Sequence, residues 1–401
     1  MLRFLVCLLV LVKGVHSGRL QVQGSNLVKD GQRVFLSGTN LAWVNYAQDF
    51  GHNHYSGVRS KMEQILNELH ASGGNSIRIW LHIEGQTTPE WTNDGHVSGM
   101  DATLVSDLRS FLQSAQRLNI LVFIVLWNGA KNEQYHYRLN GLIVDTNKLQ
   151  SYIDKCLQPM VHALKNEPAL GGWEIINEPE GEMIPGHHDS NPCRDTSALE
   201  GSGMGWEGRL YTADQIQRFI NWQADAIRRE DPGTMVTVGT WNPKPNTDRF
   251  GFKNLYKDSC LIDAGGRSQG TLTFYQVHTY SYQGHWDGYS PFQKHYNDYG
   301  LDKPLVIGEF RESEAAGLKI TDLYNYAYYY GYSGAWGWHA IENNWGNIRT
   351  GIEWLRGRND QQKGVFEYKV AYMGYLRFYL ISKMEVADDC TPVSKMEDVD
   401  D

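Results

Sequence analysis

Short apolar runs alternate along this chain with longer stretches whose apolar residues recur every three or four positions. The runs at Phe35–Asn40, Ser76–Trp80, Asn119–Trp127, a segment ending at Asn177, Thr234–Thr240, Thr271–Val277, Lys303–Gly308 and Ser333–Trp338 read as eight strands. Asn119–Trp127 is nearly all apolar, as expected of a parallel strand buried on both faces. Between the runs, Met62, Ile65, Leu66 and Leu69 share one helical face, and Leu104, Leu108, Phe111, Leu112 and Ala115 share another. Further helices are predicted over 147–165 and over 212–230, the latter opening at Thr212 with Asp214 in its first turn. A last one holds Tyr368, Ala371, Tyr372, Tyr375 and Phe378. Residues 20–36 read as a small N-terminal β-hairpin turning at Asp30-Gly31. Eight strands alternating with helices predict an α/β fold, a (β/α)8 TIM barrel. The rival, an open doubly wound sheet, usually carries a glycine-rich phosphate turn after its first strand; Ser37-Gly38-Thr39-Asn40 is not one.

Both chain ends look different. Met1-Leu2-Arg3 precedes an apolar run from Phe4 to Val12, then Lys13 and Gly14-Val15-His16-Ser17-Gly18. This is the pattern of a cleaved secretory signal peptide over 1–17; nine apolar residues are too few for a bilayer, which takes about 20. Residues 18–390 contain no linker and are expected to form one (β/α)8 domain, and 391–401 an acidic, disordered tail with Glu397, Asp398, Asp400 and Asp401. Losing Arg3 and Lys13 with the leader takes the formal charge from −9 to −11. That argues against nucleic acid or an anionic membrane as partner. Cys156, Cys193, Cys260 and Cys390 remain, and four cysteines in an oxidising compartment suggest two disulfides with three possible pairings, a mixture of bridged and free thiols being the alternative. There is no Asn-x-Ser/Thr acceptor.

Two predicted strands stop at a carboxylate: Gly172-Trp173-Glu174-Ile175-Ile176-Asn177-Glu178-Pro179 and Pro304-Leu305-Val306-Ile307-Gly308-Glu309-Phe310. In a parallel barrel both Glu178 and Glu309 project into one cleft at the C-terminal face. Two carboxyls across a cleft are what cleavage of a glycosidic bond requires. The 179–211 stretch, long and irregular, lies on the same face, and Cys193 is placed to pin it. With 13 Trp and 23 Tyr, the chain has aromatic faces to spare for sugar rings. Trp43, Trp80, Trp127, Trp206, Trp241, Trp286 and Trp345 are candidates. Trp127, Trp241 and Trp286 are favoured because each lies at or beyond a strand's C-terminal end. His52/His54 and His187/His188 lack a third ligand at a recognised metal spacing, so neither metal nor cofactor is expected.

Asn177-Glu178-Pro179, Glu309, Arg78 on the second strand, His278-Thr279-Tyr280 after the sixth and Trp338 on the eighth together resemble glycoside hydrolase family 5, a retaining (β/α)8 group. The resemblance spans essentially the whole mature chain and is greatest to the secreted, molluscan-type animal endo-β-1,4-mannanases of that family. It implies Glu178 as general acid/base and Glu309 as nucleophile, with Arg78 and Tyr280 holding Glu309 ionised and oriented. It further implies Asn177 on the sugar 2-hydroxyl, His278 within that network and Trp338 as a floor under the ring attacked. The expected partner is therefore a β-mannan-type polysaccharide, acted on by a secreted monomer. One position departs from the family: the third strand ends Leu126-Trp127-Asn128-Gly129, where members often carry histidine, with His136 the nearest in sequence and His82 a possible substitute. The same machinery acting on glucan, and a sugar-binding barrel without catalysis, are the competing readings; the second would be expected to have lost a carboxylate.

Overall fold

The computed structural model describes residues 18–129, 134–341 and 344–356. The leader, the helix expected around Tyr368–Phe378, Cys390 and the acidic tail lie outside them. The chain opens with a three-stranded antiparallel sheet, β1 (Gln21–Gln23), β2 (Asn26–Lys29) and β3 (Gln32–Arg33), one strand more than the expected hairpin. The β2–β3 turn falls at Asp30-Gly31, where both residues have positive φ.

Then the alternation begins: β4 (Leu36–Leu41), α1 (Tyr55–Ala71), β5 (Ser76–Ile83), a small ribbon of β6 (Glu90–Trp91) and β7 (Val97–Gly99), α2 (Leu104–Arg117) and β8 (Leu121–Asn128). It continues through α3 (His136–Val144), α4 (Thr146–Tyr152), a π-helical turn Ile153–Leu157, α5 (Gln158–Leu164) and β9 (Leu170–Asn177). The single helix expected over 147–165 is thus two helices joined by that turn. Next come α6 (Ala213–Glu230), β10 (Val236–Thr240), α7 (Asp258–Gly265), β11 (Tyr275–His278), β12 (Leu305–Glu309), α8 (Ile320–Tyr329), β13 (Gly334–Gly337) and α9 (Trp345–Arg356). Helix α6 starts at a capping box on Thr212 and Gln215. The eight strands β4, β5, β8, β9, β10, β11, β12 and β13 close into a parallel barrel in chain order. Among the described residues no helix is long and apolar enough to cross a membrane.

The packing separates into an outer core and a layered interior. Between strands and helices lies the main hydrophobic core, including Leu108, Ile124, Ile175, Phe219 and Leu323. At the N-terminal end of the barrel, Leu121, Phe123, Met235, Phe274, Val306 and Trp336 fill the interior, and Leu20, Leu27 and Val34 from the N-terminal sheet pack onto them. Above this apolar floor the interior turns polar: Asn40, Arg78, Glu174, Thr237 and Gln276 are all fully buried. That polar layer carries the site.

Candidate active site

Arg78 is the centre of the layer. Its Nε and Nη2 donate to the two oxygens of Glu174 (2.7 and 2.5 Å), Nη1 to Asn40 (2.8 Å) and Glu309 (2.7 Å), and Nη2 also to Asn177 (2.7 Å). A guanidinium has five donors in a rigid fork, so these contacts set its orientation. Asn40 in turn donates to the carbonyls of Gly308, Trp336 and Gly337, tying β4 to β12 and β13. Trp80 stacks on the guanidinium at 4.3 Å.

Glu178 follows β9 in a left-handed conformation (φ 42°, ψ 55°), and its N–H donates to the Gly239 carbonyl of β10 at 2.7 Å. A non-glycine residue there is uncommon, and the turn swings the side chain over the barrel mouth. Position 239 needs glycine for a different reason: a Cβ would collide with Glu174, Gln276 and His278. Glu309, the last residue of β12, receives Arg78 on one oxygen and the Tyr280 hydroxyl (2.8 Å) on the other. His278 Nδ1 lies 2.7 Å from Glu178 Oε1 and 3.5 Å from Glu309 Oε2. Carboxylate oxygens of Glu178 and Glu309 come within 4.8 Å of each other.

Burial raises the pKa of both carboxyls, but their partners differ. Glu178 is pushed up to about 7, chiefly by burial, with Arg78 opposing and Glu174 adding. Burial also raises Glu309, against the pull of His278, Arg78 and the Tyr280 hydroxyl bond. Since the guanidinium and the phenol both contact Glu309, it is the carboxyl that ionises first, leaving the shared proton on Glu178. His278 is depressed to about 4 by burial and is neutral near pH 7.

A cavity of about 320 Å³ opens over the pair, lined among others by Trp43, Trp80, Asn128, Asn177, Arg311 and Trp338. A second, of about 820 Å³, shares Tyr280 and Glu314 with it and runs out past Trp241, Lys244, Tyr282 and Tyr289 to Gly201–Gly203 of the long loop. Together they form a groove longer than one sugar ring. The loop is held by the Cys193–Cys260 disulfide, and its Trp206 packs on Trp241 at 5.5 Å.

The structure therefore brings Glu178, Glu309, Arg78, Asn177, His278, Tyr280 and Trp338 together. Trp241 lies on the second cavity. Trp127 does not belong to the site: it is fully buried, its indole donating to Gln223 at 2.9 Å and its ring packed on Tyr152. The cause lies in the strand ends. Side-chain alternation would turn Trp127 and Ile176 inward like Val125 and Glu174, but both pack in the outer core, and Asn128 and Asn177 take the mouth. Trp286 packs against Phe292 and lines neither cavity. Neither His82 nor His136 fills the place at the end of the third strand. His82 is buried against Thr88 (2.8 Å) and His136 against Glu182 (2.8 Å), and Asn128 itself occupies the mouth. Among the described cysteines, Cys193 and Cys260 are bridged and Cys156 is a free buried thiol, which is the mixture of bridged and free thiols; Cys390 lies outside the described residues. Sequence reasoning missed Glu174, Asn40 and Asn128. The signal for Glu174 was present: an acid in the middle of an apolar strand needs a buried partner for its charge.

A barrel of this kind with an unlike pair of carboxyls at the ends of its fourth and seventh strands defines a glycoside hydrolase. The chain belongs to glycosyl hydrolase family 5: the family model described as Cellulase (glycosyl hydrolase family 5) matches residues 29–345. It is 56% identical over 342 residues to the mannan endo-1,4-beta-mannosidase of Mytilus edulis, covering 85% of this chain and 93% of that one. The crystal structure of beta-mannanase from Mytilus edulis matches with a TM-score of 0.86 at 55% identity, covering 87% of this chain and 99% of that one. The beta-1,4-mannanase of Aplysia kurodai matches with a TM-score of 0.84 at 49% identity, covering 86% and 99%.

Proposed function

We propose that this protein is a secreted endo-β-1,4-mannanase that works by retaining double displacement. The observation that carries the mechanism is the approach of Glu178 and Glu309 oxygens to within 4.8 Å. Retaining enzymes hold their carboxyls about 5–5.5 Å apart, whereas inverting enzymes leave about 6.5–9.5 Å for a water. Glu309, ionised against Arg78 and Tyr280, attacks the anomeric carbon while Glu178 protonates the leaving oxygen. Once Glu309 is esterified its charge is gone, the pKa of Glu178 falls, and Glu178 takes a proton from the incoming water. Asn177 holds the 2-hydroxyl of the reacting ring, and Trp338 lies beneath it.

The mannan substrate is supported by the names of the relatives, and endo action by the groove extending past Trp241. Secretion is supported by the leader pattern and by the Cys193–Cys260 bridge. The test is reducing-end release from linear β-mannan and from soluble cellulose, with wild type and Glu309→Gln side by side. Mannan cleavage that disappears in the variant is expected. Cleavage of cellulose alone would keep the mechanism and remove the mannanase assignment, and full activity in Glu309→Gln would remove the mechanism.

A further inference from the structure

We propose that Asn128 is a positioning residue for this reaction: it orients the Asn177 amide toward the substrate by holding it on the side opposite Arg78. The inference rests on the retaining mannanase reading above. Arg78 Nη2 donates to Asn177 Oδ1 at 2.7 Å, and Asn177 Nδ2 donates to Asn128 Oδ1 at 2.8 Å.

Arg78 sets the direction. A guanidinium only donates. Asn177 must therefore present oxygen to Arg78 and nitrogen to Asn128. Asn128 must accept with its oxygen. Neither amide can flip without setting two donors or two acceptors against each other. One N–H of Asn177 is committed to Asn128, which leaves the second for the cavity that both asparagines line. Without Asn128, the Asn177 amide keeps its bond to Arg78 but loses the contact that stops it rotating about that bond. The cost falls on whatever its second N–H holds, the 2-hydroxyl of the ring under attack.

The experiment compares Asn128→Ala with wild type on two substrates. One is dinitrophenyl β-mannobioside; the other is its analogue lacking the 2-hydroxyl on the ring that carries the leaving group. Losing one neutral hydrogen bond is worth about ten-fold at most. Asn128→Ala is therefore expected to lower kcat/KM by about ten-fold on the parent, mostly in kcat, and by less than about three-fold on the deoxy analogue. The readout is a ratio between substrates, so partial misfolding of a variant cancels. Equal losses on both substrates in Asn128→Ala would overturn the proposal, because a residue that merely supports the fold affects both alike. Failure of wild type to cleave the parent substrate would count against the mannanase reading instead.

Discussion

Replacing Arg78 by methionine removes a fully buried guanidinium that faces Glu174 and Glu309 at once. Five hydrogen bonds go with it: two to Glu174 and one each to Glu309, Asn40 and Asn177. Glu174 is fully buried and Glu309 is 5% exposed, so water does not replace the lost partner. Taking one member from a buried ion pair costs about 3–5 kcal/mol, and urea unfolding should show a loss of that size. The effect on Glu309 follows from distance. With charge centres about 4 Å apart and an effective dielectric near 20, a guanidinium is worth about 4 kcal/mol to a carboxylate. A carboxyl beside an arginine is commonly depressed by about 1–3 pK units. Without Arg78, Glu309 keeps its proton to higher pH. Because the nucleophile must be ionised, activity is lost on the acid side earlier. The acid limb of kcat/KM against pH on soluble mannan should therefore move up by about 1–3 units. A variant with the wild-type urea midpoint and an unmoved acid limb would refute the account of the polar layer.

Other consequences can be checked separately. Glu178 must be protonated to act as acid and its pKa is pushed up to about 7, so wild-type kcat/KM should fall as pH rises past about 7. Glu178→Gln should remove that limb and lower turnover by about 10²–10⁴-fold, least for a substrate with a good leaving group. The Cys193–Cys260 bridge spans a sequence separation of 67; mutating both cysteines to serine should cost about 2–4 kcal/mol in urea unfolding. Trp127→Phe should lose about 1–3 kcal/mol of stability, through a smaller ring and an unpaired Gln223, with KM for mannan unchanged.

Much of this architecture was legible before any coordinates, because parallel strands buried on both faces leave long apolar runs and their helices leave a stripe. Asp30-Gly31, the start of α6 at Thr212 and the end of β9 at Asn177 all fell where local chemistry placed them. The two glutamates stood out because each closes an apolar strand. What was not legible is set by tertiary geometry. Trp127 and Asn128 are neighbours at a strand end, and their order of facing depends on how β8 and β9 depart from alternation there, which no single strand encodes. Trp43 just beyond β4 and Trp80 within β5 line the cavity, while Trp286 on the segment after β11 does not, so residue type alone does not tell which indoles reach the groove. Glu174 could be seen to need a cation but not which one.

The small N-terminal sheet acts as a stopper. With Leu20, Leu27 and Val34 packed into the apolar floor, the described residues close that end, and the polar layer opens at the barrel's other end. The water that frees the sugar from Glu309 must therefore enter by the mouth through which the leaving chain departs, and so must any sugar hydroxyl that would take the water's place. On that geometry, hydrolysis and chain transfer compete at a single threshold.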